Sequence, residues 1–292
     1  MSAIDAKFGR LRGEHRKAFI PFVTAGDPDV EATERLVQEL VRRGSSVIEI
    51  GFPYSDPIAD GSVIQASYNR ALSRGVRLNQ IYAAIRRLWE SPLLREREVP
   101  LVAMVSYSIV HRQGPKAFLT HAQEAGFSGA IVPDLPVEES EYLASLAASR
   151  DFNLIQLVTP TTPPERAARI ARTSTGFLYC VSVTGITGER ERLPEELLAQ
   201  LARLREFTDL PLCVGFGIST PEHVRMLRDA VDGVIVGSAI VRRLEQSKPL
   251  DEIVSDAGRL AQDLIEALEK ETLAGISPSS RLQHEGTPPD RA

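Results

Sequence analysis

The sequence predicts an α/β fold, a single (β/α)8 TIM barrel with an extra N-terminal helix and a disordered C-terminal tail. The chain has 292 residues, and single barrels commonly run to about 250 residues before extensions. Eight short apolar runs alternate with longer amphipathic stretches, a pattern typical of βαβ units. The alternative, a doubly wound open sheet, usually opens with a glycine-rich turn, whereas the first turn here, TAGDP, holds one glycine.

The elements follow one another without a linker. The leading AIDAKFGRLRGEH predicts the extra helix, which would cover the N-terminal end of the barrel. Stretches such as VEATERLVQELVRR, between the strands, carry apolar residues at helical spacing. We assign residues 1–275 to the barrel domain and residues 276–292, rich in Ser, Pro and charge, to a disordered tail. The eight predicted strands span residues 18–23, 46–50, 100–105, 129–133, 153–158, 176–183, 211–216 and 233–237.

Composition excludes several classes of partner. The formal net charge is -5, so no basic excess favours nucleic acid or an anionic membrane. The start of the chain lacks the apolar core of a signal peptide, and no run approaches the roughly 18 apolar residues of a membrane helix. Cys180 and Cys213 fall in apolar strands and are expected to be buried free thiols, which favours a reducing compartment and a cytoplasmic location.

Barrel enzymes carry their active sites at the C-terminal ends of the strands, and two acids fall there. Glu49 interrupts the apolar strand SVIEI one residue before its end, where a carboxyl in an apolar pocket can exchange a proton near neutral pH. The alternative is a structural acid paired with arginine. Asp60 follows in a Pro-rich loop, just before a helix, where catalysis and helix capping are both open.

Glycines follow strands seven and eight, in VGFGIST and VIVGSAIV. Gly217 and Gly237 would let backbone N–H groups approach an anion closely, and these two loops are where barrel enzymes most often bind phosphate. Tight strand-to-helix turns are the alternative. Neither turn contains Arg or Lys, so backbone groups would make the contacts.

The sequence lacks the residues that a Schiff-base mechanism or a metal site would need. None of the five lysines falls at the C-terminal end of a predicted strand, where a Schiff-base mechanism would need one. The five histidines show no paired spacing that would suit a metal. Carboxylate acid/base catalysis on a phosphorylated substrate therefore remains.

Several ordered motifs identify the chain as similar to the tryptophan synthase alpha subunit family, from about residue 8 to 270. The longest is specific enough to make a chance match improbable. The motifs are PFVTAGDPD (21–29), EIGFPYSDPIADGSVIQ (49–65), VPDLPVEES (132–140), VTGITG (183–188), GFGIS (215–219) and VGSAIV (236–241).

The resemblance implies a lyase that cleaves indole-3-glycerol phosphate to indole and glyceraldehyde 3-phosphate without a cofactor of its own. Glu49 would protonate the indole C3 carbon and then act as base, and Asp60 would stabilise positive charge on the indole nitrogen. The same resemblance implies that the indole pocket includes Phe22, Met104, Tyr179 and Phe216. It places Gly188, Gly217, Gly237 and Ser238 at the phosphate site, and Thr187 in a mobile lid.

The resemblance also implies a partner, a beta subunit that carries pyridoxal phosphate, in an α2β2 assembly that takes up the indole. Pro53 and Asp56 are expected in an exposed loop that contacts this partner. A stand-alone indole-releasing lyase, a weakly active homologue that activates the beta subunit, and a phosphate-binding barrel isomerase are alternatives.

One segment departs from the family pattern. Ser106 stands where the family usually has tyrosine, with Tyr107 one residue along, and Ser108-Ile109 replaces Asn-Pro. A shift of one residue turns a side chain to the other face of a strand, so this pocket wall is expected to differ.

Overall fold

The computed structural model describes residues 1–57, 60–182, 195–215 and 217–269, in which parallel strands alternate with helices. The strands are β1 (Ala18–Thr24), β2 (Ile48–Gly51), β3 (Leu101–Met104), β4 (Phe127–Ile131), β5 (Asn153–Ile155), β6 (Leu157–Val158), β7 (Leu178–Val181), β8 (Leu212–Gly215) and β9 (Gly233–Val236). The helices are α1 (Ala3–Gly13), α2 (Val30–Arg42), α3 (Ser62–Ser73), α4 (Leu78–Glu90), α5 (Pro92–Arg97), α6 (Tyr107–Gln113), α7 (Pro115–Ala125), α8 (Glu141–Ala148), α9 (Pro164–Thr173), α10 (Glu195–Arg205), α11 (Pro221–Leu227), α12 (Ser238–Val241) and α13 (Leu250–Leu268). A 3₁₀ turn, Arg242–Glu245, follows α12.

All strand pairs are parallel, in the order β5-β4-β3-β2-β1-β9-β8-β7-β6. The two outer members of this order, β5 and β6, are separated in the chain by Gln156 alone. They are therefore two halves of the predicted fifth strand, and together they close the sheet into a ring of eight. The predicted barrel is confirmed, with this strand divided.

The division at Gln156 has a local cause. Its backbone N–H donates to the side-chain oxygen of Ser174 rather than to a neighbouring strand, and its side-chain amide donates to Thr173. Side-chain hydroxyls thus replace part of the backbone ladder between the fifth strand and β7, whose Tyr179 N–H still donates to the Gln156 carbonyl.

The strands are buried on both faces, as a parallel barrel requires. In β1 the side chains of Phe19 and Val23 pack under the helices, while Ile20 and Phe22 belong to a second cluster inside the barrel. This alternation fixes which residues point toward the barrel interior.

Helix α1 covers the N-terminal end of the barrel, as predicted. Its buried residues include Ile4, Phe8 and Leu11, which join the interior cluster. The ring centroid of Phe8 lies 5.6 Å from that of Phe177, at the base of β7.

Both cysteines are free and buried, as predicted, and burial raises the pKa of the Cys180 thiol to about 12. No helix in the described residues is long and apolar enough to cross a membrane. The proposed domain boundary at residue 275 and the tail lie outside the described residues.

Candidate active site

A cavity of about 470 Å³ opens at the C-terminal ends of the strands. That volume is within the range of ordinary small-molecule sites. Inward-facing residues of the strands form its floor, among them Phe22 on β1, Glu49 on β2, Met104 on β3, Tyr179 on β7 and Ile235 on β9. Loop residues at its rim come from the segments after β2, β8 and β9.

Glu49 is buried, with 1% of its surface exposed, and lies beside Phe22 in the register of β1 and β2. In the described part of the chain its Oε2 atom has no hydrogen-bond partner. Burial, and secondarily the nearby charge of Asp60, raises the pKa of Glu49 to about 8. Glu49 is therefore not a structural acid paired with arginine. Its carboxyl is held in the neutral form and faces the cavity.

Asp60 also lines the cavity, and it does not cap the helix that follows. The N-terminal capping residue of α3 is Gly61, which makes no side-chain capping bond. Instead Oδ2 of Asp60 accepts a hydrogen bond of 3.4 Å from the Tyr54 hydroxyl. Burial raises the pKa of Asp60 to about 6, and the bond from Tyr54 opposes that rise.

Two glycines at strand ends let aromatic side chains close over the backbone. A Cβ atom at Gly51 would lie 2.3 Å from Cζ of Phe22 and 2.8 Å from the hydroxyl of Tyr68. A Cβ atom at Gly215 would lie 2.4 Å from the hydroxyl of Tyr179. Any side chain at these positions would displace rings that pack in or beside the cavity wall.

Gly217, Gly237 and Ser238, from the segments after β8 and β9, also line the cavity. Gly217 has φ of +79°, which favours glycine for the turn itself. Gly237 has φ of −104°, and a Cβ atom there would meet Phe22 only at an ordinary 3.5 Å. A tight turn thus explains the glycine at 217 but not the one at 237, where its absent side chain leaves the cavity open.

Two arginines in this wall were not predicted. Arg242 and Arg243 follow α12 and line the cavity. Arg243 is paired with Asp256 at 3.3 Å, whereas Arg242 is exposed and has no ion pair with any described residue. Arg242 lies four residues after Ser238, one helical turn further on. This spacing, which places both residues on one face of a helix, was the signal in the sequence that Arg242 could line the cavity.

The predicted pocket residues Phe22, Met104 and Tyr179 line the cavity, and their roles stay predictions. Phe216, Thr187 and Gly188 lie outside the described residues. Apolar residues that were not predicted complete the wall, including Ile64 on α3 and Ile235 on β9.

The segment that departs from the family pattern faces elsewhere. Ser106 is buried and caps α6, and its hydroxyl donates to Oδ2 of Asp134 at 2.8 Å. The backbone N–H of Tyr107 donates to the other oxygen of Asp134 at 2.7 Å. Neither Ser106 nor Tyr107 lines the cavity, so Met104 supplies the wall on this side.

The loop assigned to partner contact is only partly exposed. Asp56 is exposed, but Pro53 is buried, so the prediction of an exposed Pro53 is wrong. Pro53 directly continues the buried end of β2 and Phe52, and the chain reaches the surface at Ser55. Contact with a partner stays a prediction for both residues.

No group of three His, Cys, Asp or Glu side chains that could hold a metal occurs within the described ranges.

Comparison with known proteins agrees with this geometry. The family profile described as tryptophan synthase alpha chain matches residues 8–270. The tryptophan synthase alpha chain of Rhodopirellula baltica is 48% identical over 278 residues, which cover 92% of this chain and 99% of that protein. The alpha chain of a Thermoanaerobacter species is 41% identical, over 92% of this chain and 100% of that protein.

Solved structures give the same result. The tryptophan synthase subunit alpha of Legionella pneumophila superposes with a TM-score of 0.82 at 33% identity, over 92% of this chain and 98% of that one. A chain of tryptophan synthase from M. tuberculosis, in its aminoacrylate-bound form, gives a TM-score of 0.80 at 29% identity. The match covers 92% of this chain and 100% of that one. With its barrel, its cavity and the ordered motifs in agreement, this chain belongs to the tryptophan synthase alpha chain family.

Proposed function

We propose that this protein is a lyase that cleaves indole-3-glycerol phosphate into indole and glyceraldehyde 3-phosphate, as part of tryptophan biosynthesis. The observation that carries the proposal is Glu49, a buried carboxyl whose pKa is raised to about 8, in the cavity floor beside Asp60. A general acid and base with a pKa near neutrality is what a proton-transfer mechanism without cofactor needs.

Glu49 gives its proton to the indole C3 carbon, and the resulting cation is stabilised by the carboxylate of Asp60. The Glu49 carboxylate then removes the proton of the glycerol hydroxyl. As that oxygen forms a carbonyl, the bond between C3 and the glycerol carbon breaks and its electron pair returns to the ring. Glu49 is again protonated at the end, so no cofactor is consumed.

The aromatic and apolar floor holds the indole, with Phe22, Met104 and Tyr179 as contacts and Phe216 as a further wall. The phosphate is held by backbone N–H groups near Gly217, Gly237 and Ser238. Gly188 as a further phosphate contact and Thr187 as a lid residue stay predictions. The carboxyls and the glycines line one cavity, and this supports a single substrate that reaches both.

Membership of the family implies partnership with a beta subunit. We assign the pyridoxal phosphate of the combined reaction to that subunit and propose an α2β2 assembly. The exposed Asp56 lies in the loop that leads from β2 to Asp60, so a contact there can influence the order of the catalytic loop.

The test is incubation with indole-3-glycerol phosphate, alone and with a beta subunit, while indole and glyceraldehyde 3-phosphate are measured. We expect slow release alone and faster turnover with the partner, with a smaller acceleration in Asp56→Ala. Equal rates with and without partner would indicate a stand-alone lyase. No cleavage in either case, with the beta reaction stimulated, would indicate a binding activator and contradict the proposal.

A further inference from the structure

The interior of the barrel contains a second unpaired polar atom close to Glu49. Tyr68, on α3, has 0% of its surface exposed, and among the described residues its hydroxyl has no hydrogen-bond partner. A buried hydroxyl without a partner destabilises the folded state, and such groups in native proteins call for an explanation.

The position of this hydroxyl follows from Gly51. It lies 2.8 Å from where a Cβ atom of Gly51 would stand. Gly51 and Glu49 are two residues apart on β2, so they face the same side of the strand, about 7 Å apart along it. The Tyr68 hydroxyl is therefore on the inward face of β2, one pleat beyond Glu49.

The ring of Tyr68 is held from two sides. Its centroid lies 6.5 Å from that of Phe22 and 5.5 Å from that of Tyr54. The Tyr54 hydroxyl is already engaged with Asp60. Of these two tyrosines, Tyr68 is thus the one whose donor is uncommitted.

From the geometry we propose that Tyr68 is a positioning residue for Glu49, whose carboxylate accepts a hydrogen bond from the Tyr68 hydroxyl once Glu49 has given up its proton. This inference rests on the proposed function. The reaction creates a negative charge on Glu49 inside an apolar chamber, and a waiting donor lowers the free energy of that state. The proton of Tyr68 itself stays on its oxygen throughout, because burial and the nearby carboxyls raise the pKa of this phenol well above its ordinary value.

Among the described residues, Asp60 from the loop after β2 and Tyr179 from β7 interact electrostatically with Glu49, and Tyr54 interacts with Tyr68. Arg242 and Arg243 line the same cavity. Of the two carboxyls, Asp60 acts more strongly on the pKa of Tyr68. Asp60 already has a donor in Tyr54, whereas Glu49 has an unpaired oxygen. This difference makes Glu49 the acceptor.

The experiment is a carboxyl carbon-13 NMR titration of the ligand-free protein and of Tyr68→Phe, with Glu49→Gln and Asp60→Asn used to assign the signals. Loss of the donor should raise the pKa of Glu49 by about one unit, which corresponds to a tenfold change in its ionisation. The matched control is Tyr82→Phe, which removes a partly buried hydroxyl bonded to Gln113 on the outside of the barrel and should leave the titration of Glu49 unchanged.

A second readout is the steady-state rate. Tyr68→Phe should lower kcat about tenfold with KM unchanged and move the alkaline limb of the pH profile upward, whereas a purely structural role would lower stability without moving that limb. An unchanged Glu49 titration would overturn the proposal, and a shift confined to Asp60 would assign the hydroxyl to that carboxyl instead. The titration needs no turnover. If the wild-type protein did not cleave the substrate, the proposed function would be contradicted, but the titration of Glu49 would still test the role of Tyr68.

Discussion

Two neighbouring regions at the mouth of the barrel each bury a carboxyl, and they treat it in opposite ways. Asp27, in the loop after β1, is 0% exposed, and Glu49, at the end of β2, is 1% exposed. Both oxygens of Asp27 accept hydrogen bonds from Arg70 of α3, at 2.9 and 2.7 Å. Oε2 of Glu49 has no such partner within the described residues.

Burial raises the pKa of both carboxyls, but only for Asp27 do hydrogen bonds from a cation act against that rise. Arg70 also approaches Glu245 in the 3₁₀ turn after α12, so Arg70 connects helix α3 with the loop after β1 and with this turn. The comparison teaches that burial alone does not mark a catalytic acid. The distinguishing feature is a buried carboxyl that has no cation and faces a cavity.

The largest effect is expected when the unpaired acid is altered. Glu49→Gln keeps the size of the side chain but removes its titrating proton, so turnover should fall by about 10²- to 10⁴-fold while substrate binding is kept. Steady-state kinetics of indole release, with substrate affinity measured separately, checks this. Asp27→Asn is the matched control and should retain most of its turnover; a variant at 49 with more than about a tenth of wild-type turnover would contradict the catalytic role.

The paired acid should instead determine stability. Arg70→Met leaves Asp27 buried without a cation, and we expect a loss of about 2–3 kcal/mol in the free energy of unfolding, less than for a fully buried pair because Arg70 is partly exposed. Urea denaturation measures it. Arg74→Met removes an exposed arginine four residues along and should cost well under 1 kcal/mol. Equal losses in the two variants would show that the Asp27–Arg70 pair contributes nothing special.

The third contrast is a difference in the pH dependence of stability. Unfolded, Glu49 ionises near its ordinary pKa of about 4.3, whereas in the folded protein its pKa is about 8. Between these values the native state holds a proton that the unfolded state has lost, so stability falls by about 1.4 kcal/mol per pH unit as pH rises, and levels off above the folded pKa.

Glu49→Gln removes this penalty. Its free energy of unfolding should therefore exceed that of wild type by a margin that grows between about pH 5 and pH 8. Denaturation curves at several pH values measure this margin. For Asp27→Asn the margin over wild type should grow less steeply with pH, because the hydrogen bonds from Arg70 oppose the rise in the pKa of Asp27. Parallel stability curves for wild type and Glu49→Gln would contradict the raised pKa of Glu49.

Much of this architecture could be predicted from local pattern. Apolar runs and amphipathic periods gave the barrel, and a single acid in an apolar strand indicated Glu49, because both signals lie within a few consecutive residues. The break at Gln156 could not be predicted, since it depends on hydroxyls 17 and 18 residues away, at the C-terminal end of α9. The Asp27–Arg70 pair spans 43 residues and carries no sequence pattern.

Exposure was the least predictable property. The Pro-rich loop suggested a surface segment, but Pro53 is buried because the chain leaves β2 along the barrel wall before it turns outward. Arg242 was missed for a related reason. It lies beyond the glycine turn in sequence, and only the helical turn of α12 brings it back to the cavity wall.

The pairing of the first and last strands has a consequence for how the chain can close. Ala18 of β1 lies opposite Gly233 of β9, across a loop of about 215 residues, whereas Phe22 and Glu49 close a loop of 27. Loop-closure entropy grows only logarithmically, so the longer closure costs about 2 kcal/mol more than the shorter one. Four consecutive residue pairs, Ala18 to Pro21 with Gly233 to Val236, form that junction in a fully buried strand. The two ends of the barrel domain are thus joined at little extra entropic cost, and a truncation that removed either strand would open the ring rather than merely shorten it.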